Sequence, residues 1–421
     1  MAHSQAAIPP SPPFRQGPRP LPLHLMAQAS TLMASCAALP FLKNGSLPWR
    51  PNLAERAQDL RQSLAAAGPD AFASFEQAVA TETLARHRGF LAGIEAYRRH
   101  PYQRELPPVP VLWRQGTTEL LDYRDPLHPE GLPVLVVPSL VNRAYVLDLL
   151  PGRSLMRALA GRGLAPFLVD WTAPGPEECG FTLTDYVVGR LEAAVDVVTA
   201  RTGRKPALLG YCMGGLLALA LAQRRPDAVA SLTLLATPWD FHAGNRAAQG
   251  MVMQALAEPM TRGIATLGQL PVDLLQALFM TLDPSLTERK YAAFSRMAPR
   301  SARARDFVAL EDWANDGVPL AGPVATECLV GWYGANSPAK GEWSIAGIPV
   351  RPADITIPTL LVVPERDRIV PPDSALPLGA AIAHAQVMTA KGGHVGMLLS
   401  RRATSALYAP LAKWLAHSAL Q

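Results

Sequence analysis

Apolar positions along the chain follow two different periods. From about Leu25 to Arg99, residues such as Leu60, Leu64, Phe72, Phe75, Val79 and Leu84 recur at helical spacing in an alanine-rich background. This stretch predicts a helical N-terminal region. The run Val109 to Tyr123 predicts a hairpin, and after it short apolar runs begin to alternate with helical segments. Strands are expected at Val134 to Pro138, Pro166 to Asp170, Ala207 to Gly210, Ser231 to Ala236, Thr359 to Val363 and Ala385 to Met388, with helices between them, notably Leu183 to Ala200 and Gly214 to Gln223. Such alternation predicts an α/β domain with a mostly parallel sheet and helices on both faces. Between Trp239 and Pro352 it gives way to a helical pattern containing Trp313, Trp332, Tyr333 and Trp343. That stretch reads as an inserted helical cap, about 240–352, over the carboxyl edge of the sheet, where open α/β folds bind ligands.

The first 23 residues include Pro9, Pro10, Pro12, Pro13, Pro18, Pro20 and Pro22, which remove backbone donors and predict a disordered tail. The expected organisation is therefore a tail at 1–23, a helical region at 24–105 and an α/β catalytic domain at 106–421. A composition of 49% hydrophobic and 17% charged residues in 421 excludes disorder of the whole chain. The net charge of +5 is mostly N-terminal, because Arg15, Arg19, Lys43 and Arg50 face no acid in the first fifty residues. No basic stripe or aromatic-basic repeat accompanies it, so nucleic acid is not an expected partner.

Cys36, Cys179, Cys212 and Cys328 are widely spaced and form no C-x-x-C pair, which argues against a zinc site or a disulfide framework and fits a reducing cytoplasm. The apolar stretch Met26 to Leu42 is interrupted by Gln28, Ser30, Thr31 and Ser35, so neither an export leader nor a transmembrane segment is expected.

The strongest chemical signal is Leu208-Leu209-Gly210-Tyr211-Cys212-Met213-Gly214-Gly215-Leu216, an apolar strand, a Gly-x-Cys-x-Gly-Gly turn and an alanine- and leucine-rich helix. Small residues flanking a central nucleophile are what a sharp strand-to-helix elbow requires. The positive end of the following helix favours a thiolate at Cys212, and the Met213 N–H is placed to stabilise an oxyanion. Against this, a cysteine in a glycine-rich turn is also an ordinary small core residue. In hydrolase-fold enzymes the acid and then the histidine follow the nucleophile along the chain. Here Pro364-Glu365-Arg366-Asp367-Arg368-Ile369 follows one strand and Gly392-Gly393-His394-Val395-Gly396 the next. His394 would take the thiol proton and Asp367 would hold its tautomer. Glu365 and Asp373 are alternative acids, Asp367 could instead pair with Arg366 or Arg368, and His242 is a second histidine near the site, read as structural. A second oxyanion N–H is expected from the loop Pro138 to Arg143, assigned to Val141, with Asn142 and Trp313 as candidate substrate-binding residues. No metal or redox cofactor is expected, because the chemistry is nucleophilic and acid-base.

PSLVNRAYVLDLLPGRSL, the Asp170-Trp171 strand end, LTDYV, GYCMGG, TPWDF, EDWANDG, GEW, DRIVPP and GGHVG together resemble the polyhydroxyalkanoate synthases, over roughly Val109 to Leu415. The resemblance implies an α/β-hydrolase fold. It also implies a Cys-His-Asp acyltransferase in which Cys212 attacks a 3-hydroxyacyl-coenzyme A thioester, His394 deprotonates it and Asp367 helps activate the 3-hydroxyl for elongation. Implied partners are the acyl-coenzyme A, the growing polyester, a second copy or a partner synthase subunit, and a polyester granule surface in the cytoplasm. Family members usually carry histidine directly after the acid, where this chain has Arg368. Two other readings compete: a thioester or polyester hydrolase using the same cysteine, and a non-catalytic granule-binding protein.

Overall fold

The computed structural model describes residues 15–127, 129–244 and 246–418. The chain divides into two compact units, one formed by 1–103 with 276–315 and the other by 104–275 with 316–421. The expected disordered tail lies largely outside the described residues, but its end is corrected. Arg15 is buried, donating to Asp312 and to the carbonyls of His100 and Tyr102, and a helix begins at Leu21 with Pro20 as its N-cap. Proline fits that position because the first turn of a helix needs no backbone donor.

In the helical unit the long helix Ala71–Arg99 carries Phe90, Ile94 and Tyr97 into a core completed by Tyr291, Phe294, Ala304 and Val308. The expected single cap is therefore also corrected: 276–315 contributes its helices to the N-terminal unit. Both stretches have the same helical period, so the pattern alone could not separate them. The helical run Leu21–Asn44 is, among the described residues, the one long and apolar enough to cross a membrane. It is broken by a cap at Ala38, and its deeply buried residues include the polar His24 and Gln28.

The larger unit is built on an eight-stranded sheet. Numbered along the chain, its strands are β1 Val111–Gln115, β2 Thr118–Asp122, β3 Leu132–Val137, β4 Leu164–Asp170, β5 Ala207–Tyr211, β6 Ser231–Leu235, β7 Thr359–Pro364 and β8 Gln386–Ala390. Their order across the sheet is β1-β2-β4-β3-β5-β6-β7-β8. From β4 to β8 every pairing is parallel, and the hairpin β1-β2 adds antiparallel strands at one edge. Strands β3, β5, β6 and β7 are buried along their whole length, as parallel strands covered on both faces must be. β8, at the other edge, is mostly exposed. The six expected central and edge strands match within about two residues, since continuous Val/Leu runs bounded by Gly and Pro read clearly. Beside the sheet, the fully buried Asp148 accepts from Arg157 at 2.9 Å and from the Tyr123 hydroxyl at 3.0 Å.

Candidate active site

Cys212 stands between β5 and the helix Met213–Arg224 with φ +56° and ψ −127°, a region that L-residues occupy only when the surrounding structure forces it. Its own N–H donates to Leu235 O at 2.9 Å and its carbonyl accepts from Gly215 N–H at 2.9 Å, which pins the elbow against β6. Each glycine of the motif has a separate steric reason. A Cβ on Gly210 would lie 2.4 Å from Gly215 Cα, one on Gly214 would lie 2.2 Å from Val137 O, and one on Gly215 would lie 1.9 Å from Thr237 Oγ1. The helix thus starts in close contact with the end of β3 and the strand-end loop after β6.

Asp367 follows β7 and is buried, whereas Glu365 and Asp373 are exposed, which removes both as rival acids. It is not a surface partner of Arg366 or Arg368. Its Oδ1 accepts the N–H groups of Ile369 at 2.8 Å and Val370 at 2.9 Å, leaving Oδ2 to accept from His394 Nδ1 at 2.7 Å. A carboxylate only accepts, so this bond places a proton on Nδ1 and leaves Nε2 free of that pairing. The two loops are tied together by Arg366 N–H to Gly392 O and Glu365 N–H to Ala390 O, both 2.9 Å. Gly392, at φ +114°, supplies the turn that a side-chain-bearing residue would strain.

Burial pulls the His394 imidazole down. The negative charge of Cys212 and the hydrogen bond to Asp367 outweigh it and push the group up to about 10.

Met213, as the first residue of its helix, has an N–H with no partner in the turn before it. Val141 N–H reaches Ser139 Oγ at 3.3 Å, a long contact that an incoming oxyanion can displace. Asn142 pairs through its backbone with Gly317, and its buried Oδ1 has no hydrogen-bond partner. Trp313 is buried on the helix Ala302–Asn315 of the helical unit, so it does not belong with the catalytic unit's cap aromatics. His242 is structural: its Nε2 donates to the carbonyls of Tyr333 and Gly334 at 3.0 and 3.1 Å.

Two tyrosines that the motifs do not single out interact with the His394 and Cys212 pair. Tyr211 lies with its ring 5.2 Å from the imidazole of His394, at an angle of 30°. Tyr333 is 38% exposed and meets Phe241 edge to face at 4.9 Å. Its phenol is pushed up by burial and then by the charge at Cys212. Trp332 and Trp343 meet edge to face at 5.3 Å, and both indole N–H groups are buried without a partner. Among the described residues no group of three or more His, Cys, Asp or Glu side chains is arranged to hold a metal ion.

Residues 133–400 match the alpha/beta hydrolase fold family. The chain is 31% identical over 346 residues to the poly(3-hydroxyalkanoate) polymerase subunit PhaC of Synechocystis sp., covering 79% of this chain and 92% of that protein. Similar subunits from Allochromatium vinosum and Haloferax mediterranei share 30% and 29% identity, covering 68% and 73% of this chain and 83% and 64% of theirs. The elbow, the strand order and these relatives lead to one assignment: the chain belongs to the poly(3-hydroxyalkanoate) polymerase family of the α/β-hydrolase fold.

Proposed function

We propose that this protein is an acyltransferase that polymerises 3-hydroxyacyl-coenzyme A into polyhydroxyalkanoate through a thioester on Cys212. The observation that carries this reading is the buried hydrogen bond from His394 to Asp367, with the imidazole under the electrostatic influence of Cys212 and the cysteine on a strained elbow, in a chain of the polymerase family. Cys212 gives its proton to His394 Nε2 and its sulfur attacks the thioester carbonyl. The N–H groups of Met213 and Val141 receive the developing oxyanion. When the bond to coenzyme A breaks, His394 returns the proton to the departing thiolate, leaving an acyl-Cys212. A thioester formed from a thioester changes little in bond energy, so the acyl-enzyme persists until a 3-hydroxyl attacks it. His394, oriented by Asp367, takes that hydroxyl's proton, and Cys212 leaves as the new ester forms.

Asn142 Oδ1, buried and without a donor, is suited to receive one from the substrate, such as its 3-hydroxyl or a pantetheine amide. The apolar cap residues Trp332 and Trp343 support the exclusion of water on which polymer growth depends. No cofactor enters these steps. The same reading proposes a cytoplasmic enzyme working at the surface of a polyester granule.

Incubation with 3-hydroxybutyryl-coenzyme A tests the proposal, following both free thiol and the acyl product. Polymer from the wild type and none from Cys212→Ala is expected. Release of free hydroxy acid would replace the polymerase reading with a hydrolase, and absence of thiol release would leave a binding protein.

A further inference from the structure

The peptide units that hold the acid are gripped from both sides. Asp367 Oδ1 accepts the N–H of Ile369 and the N–H of Val370. The carbonyls of those same two peptide units belong to Arg368 and Ile369, and both accept from one side chain. Arg246 Nη2 donates to Arg368 O at 2.6 Å and Nη1 to Ile369 O at 3.0 Å. Arg246 is the N-cap residue of the cap helix Ala247–Ala255.

A charged donor on a peptide carbonyl polarises that amide and strengthens the hydrogen bond its N–H makes on the far side. The planar fork of a guanidinium can serve two adjacent carbonyls in one geometry, which a lysine ammonium cannot reproduce. We propose that Arg246 is a positioning residue for Asp367: by fixing and polarising the peptide units 368–369 and 369–370 it anchors Oδ1, so that Oδ2 stays aimed at His394 Nδ1. The aim of the acid therefore depends on the seat of the cap helix that starts at Arg246. A displacement of that helix loosens the Asp367–His394 bond without any residue of the reacting series being touched.

This inference rests on the reading of Asp367 as the partner of His394. Its test uses the low-field proton NMR signal of His394 Nδ1–H, assigned by its loss in His394→Gln, together with the rate at which iodoacetamide alkylates Cys212 at pH 7. In Arg246→Ala, with circular dichroism unchanged, the low-field proton shifts upfield or broadens away. Alkylation slows about tenfold, equivalent to roughly one pK unit in the thiolate–imidazolium equilibrium. Arg246→Lys, which keeps the charge but not the fork, falls between the two and supplies the answer should the alanine variant fail to fold. An unshifted proton in Arg246→Ala, or in Arg246→Lys if only that variant folds, overturns the inference while leaving the Asp367–His394 pairing intact. Absence of the signal from the wild type itself would refute that pairing, and the inference with it.

Discussion

Asp367 Oδ2 lies 2.7 Å from His394 Nδ1, although the residues are 27 apart in sequence and sit in loops after different strands. The other carboxylate oxygen is committed to two backbone N–H groups, so the carboxylate has a fixed orientation. In Asp367→Asn the amide oxygen is retained by those N–H groups and the NH2 turns to His394. Nδ1 must then accept, which puts the imidazole proton on Nε2 and blocks uptake of the Cys212 proton. We expect kcat for thiol release to fall by about 10³ to 10⁴ with KM little changed, on the scale of other tautomer-reversing substitutions. Steady-state kinetics at several acyl-coenzyme A concentrations checks this.

The His394 imidazole is pushed up to about 10, from an ordinary value near 6.5, against the opposing effect of burial. The folded protein then holds a proton between these values that the unfolded chain has lost. This stabilisation is complete below about pH 6.5 and is lost as pH rises towards 10. Cys212→Ala removes the negative charge that leads the upward contributions, so its melting temperature should vary less with pH than that of the wild type over the same window. Parallel melting curves from pH 6 to pH 10 decide it; identical slopes would mean that the charge at Cys212 does not set the state of His394.

Gly214 and Gly215 are both intolerant of a side chain, but for different neighbours. A Cβ at Gly214 meets the backbone carbonyls of Val137 and Pro138, which cannot rotate away, while the atoms nearest one at Gly215 all belong to the Thr237 side chain. Gly214→Ala and Gly215→Ala are each expected to lower stability by about 1–3 kcal/mol. Thr237→Ala should recover part of the loss in Gly215→Ala and none of that in Gly214→Ala, measured as a double-mutant cycle in urea.

Asp148 is fully buried with Arg157 and Tyr123 and lies outside the reacting series. Asp148→Ala leaves Arg157, Arg104 and the Tyr123 hydroxyl without their shared partner, and because both arginines stay partly solvated the expected cost is about 1–3 kcal/mol. Thiol release per folded molecule should stay unchanged, as read from active-site titration of the soluble fraction.

Much of the central architecture was legible because its signals are local. Continuous runs such as Leu132–Val137 and Thr359–Pro364 are short, valine-rich and bounded by Gly or Pro, which marks them as buried strands, and the glycines around Cys212 mark the elbow by their spacing. Asp367 and His394 were legible from chain order. What escaped depends on contacts that leave no trace in pattern. Arg246 acts on backbone carbonyls, for which no partner residue type is required. Tyr211 occupies the variable position of the elbow motif yet lies close against His394. The helices of 276–315 share their period with the rest of the cap, so only packing on Phe90 and Tyr97 shows where they belong.

The central claim is a covalent acyl-Cys212, and the most direct test is intact-protein mass spectrometry on enzyme acid-quenched within its first turnover of 3-hydroxybutyryl-coenzyme A, followed by peptide mapping. The account predicts a 3-hydroxybutyryl adduct on the peptide containing Cys212, absent from Cys212→Ala and accumulating in Asp367→Asn only after prolonged incubation. Coenzyme A release without an adduct on Cys212, or an adduct that persists in Cys212→Ala, would contradict it.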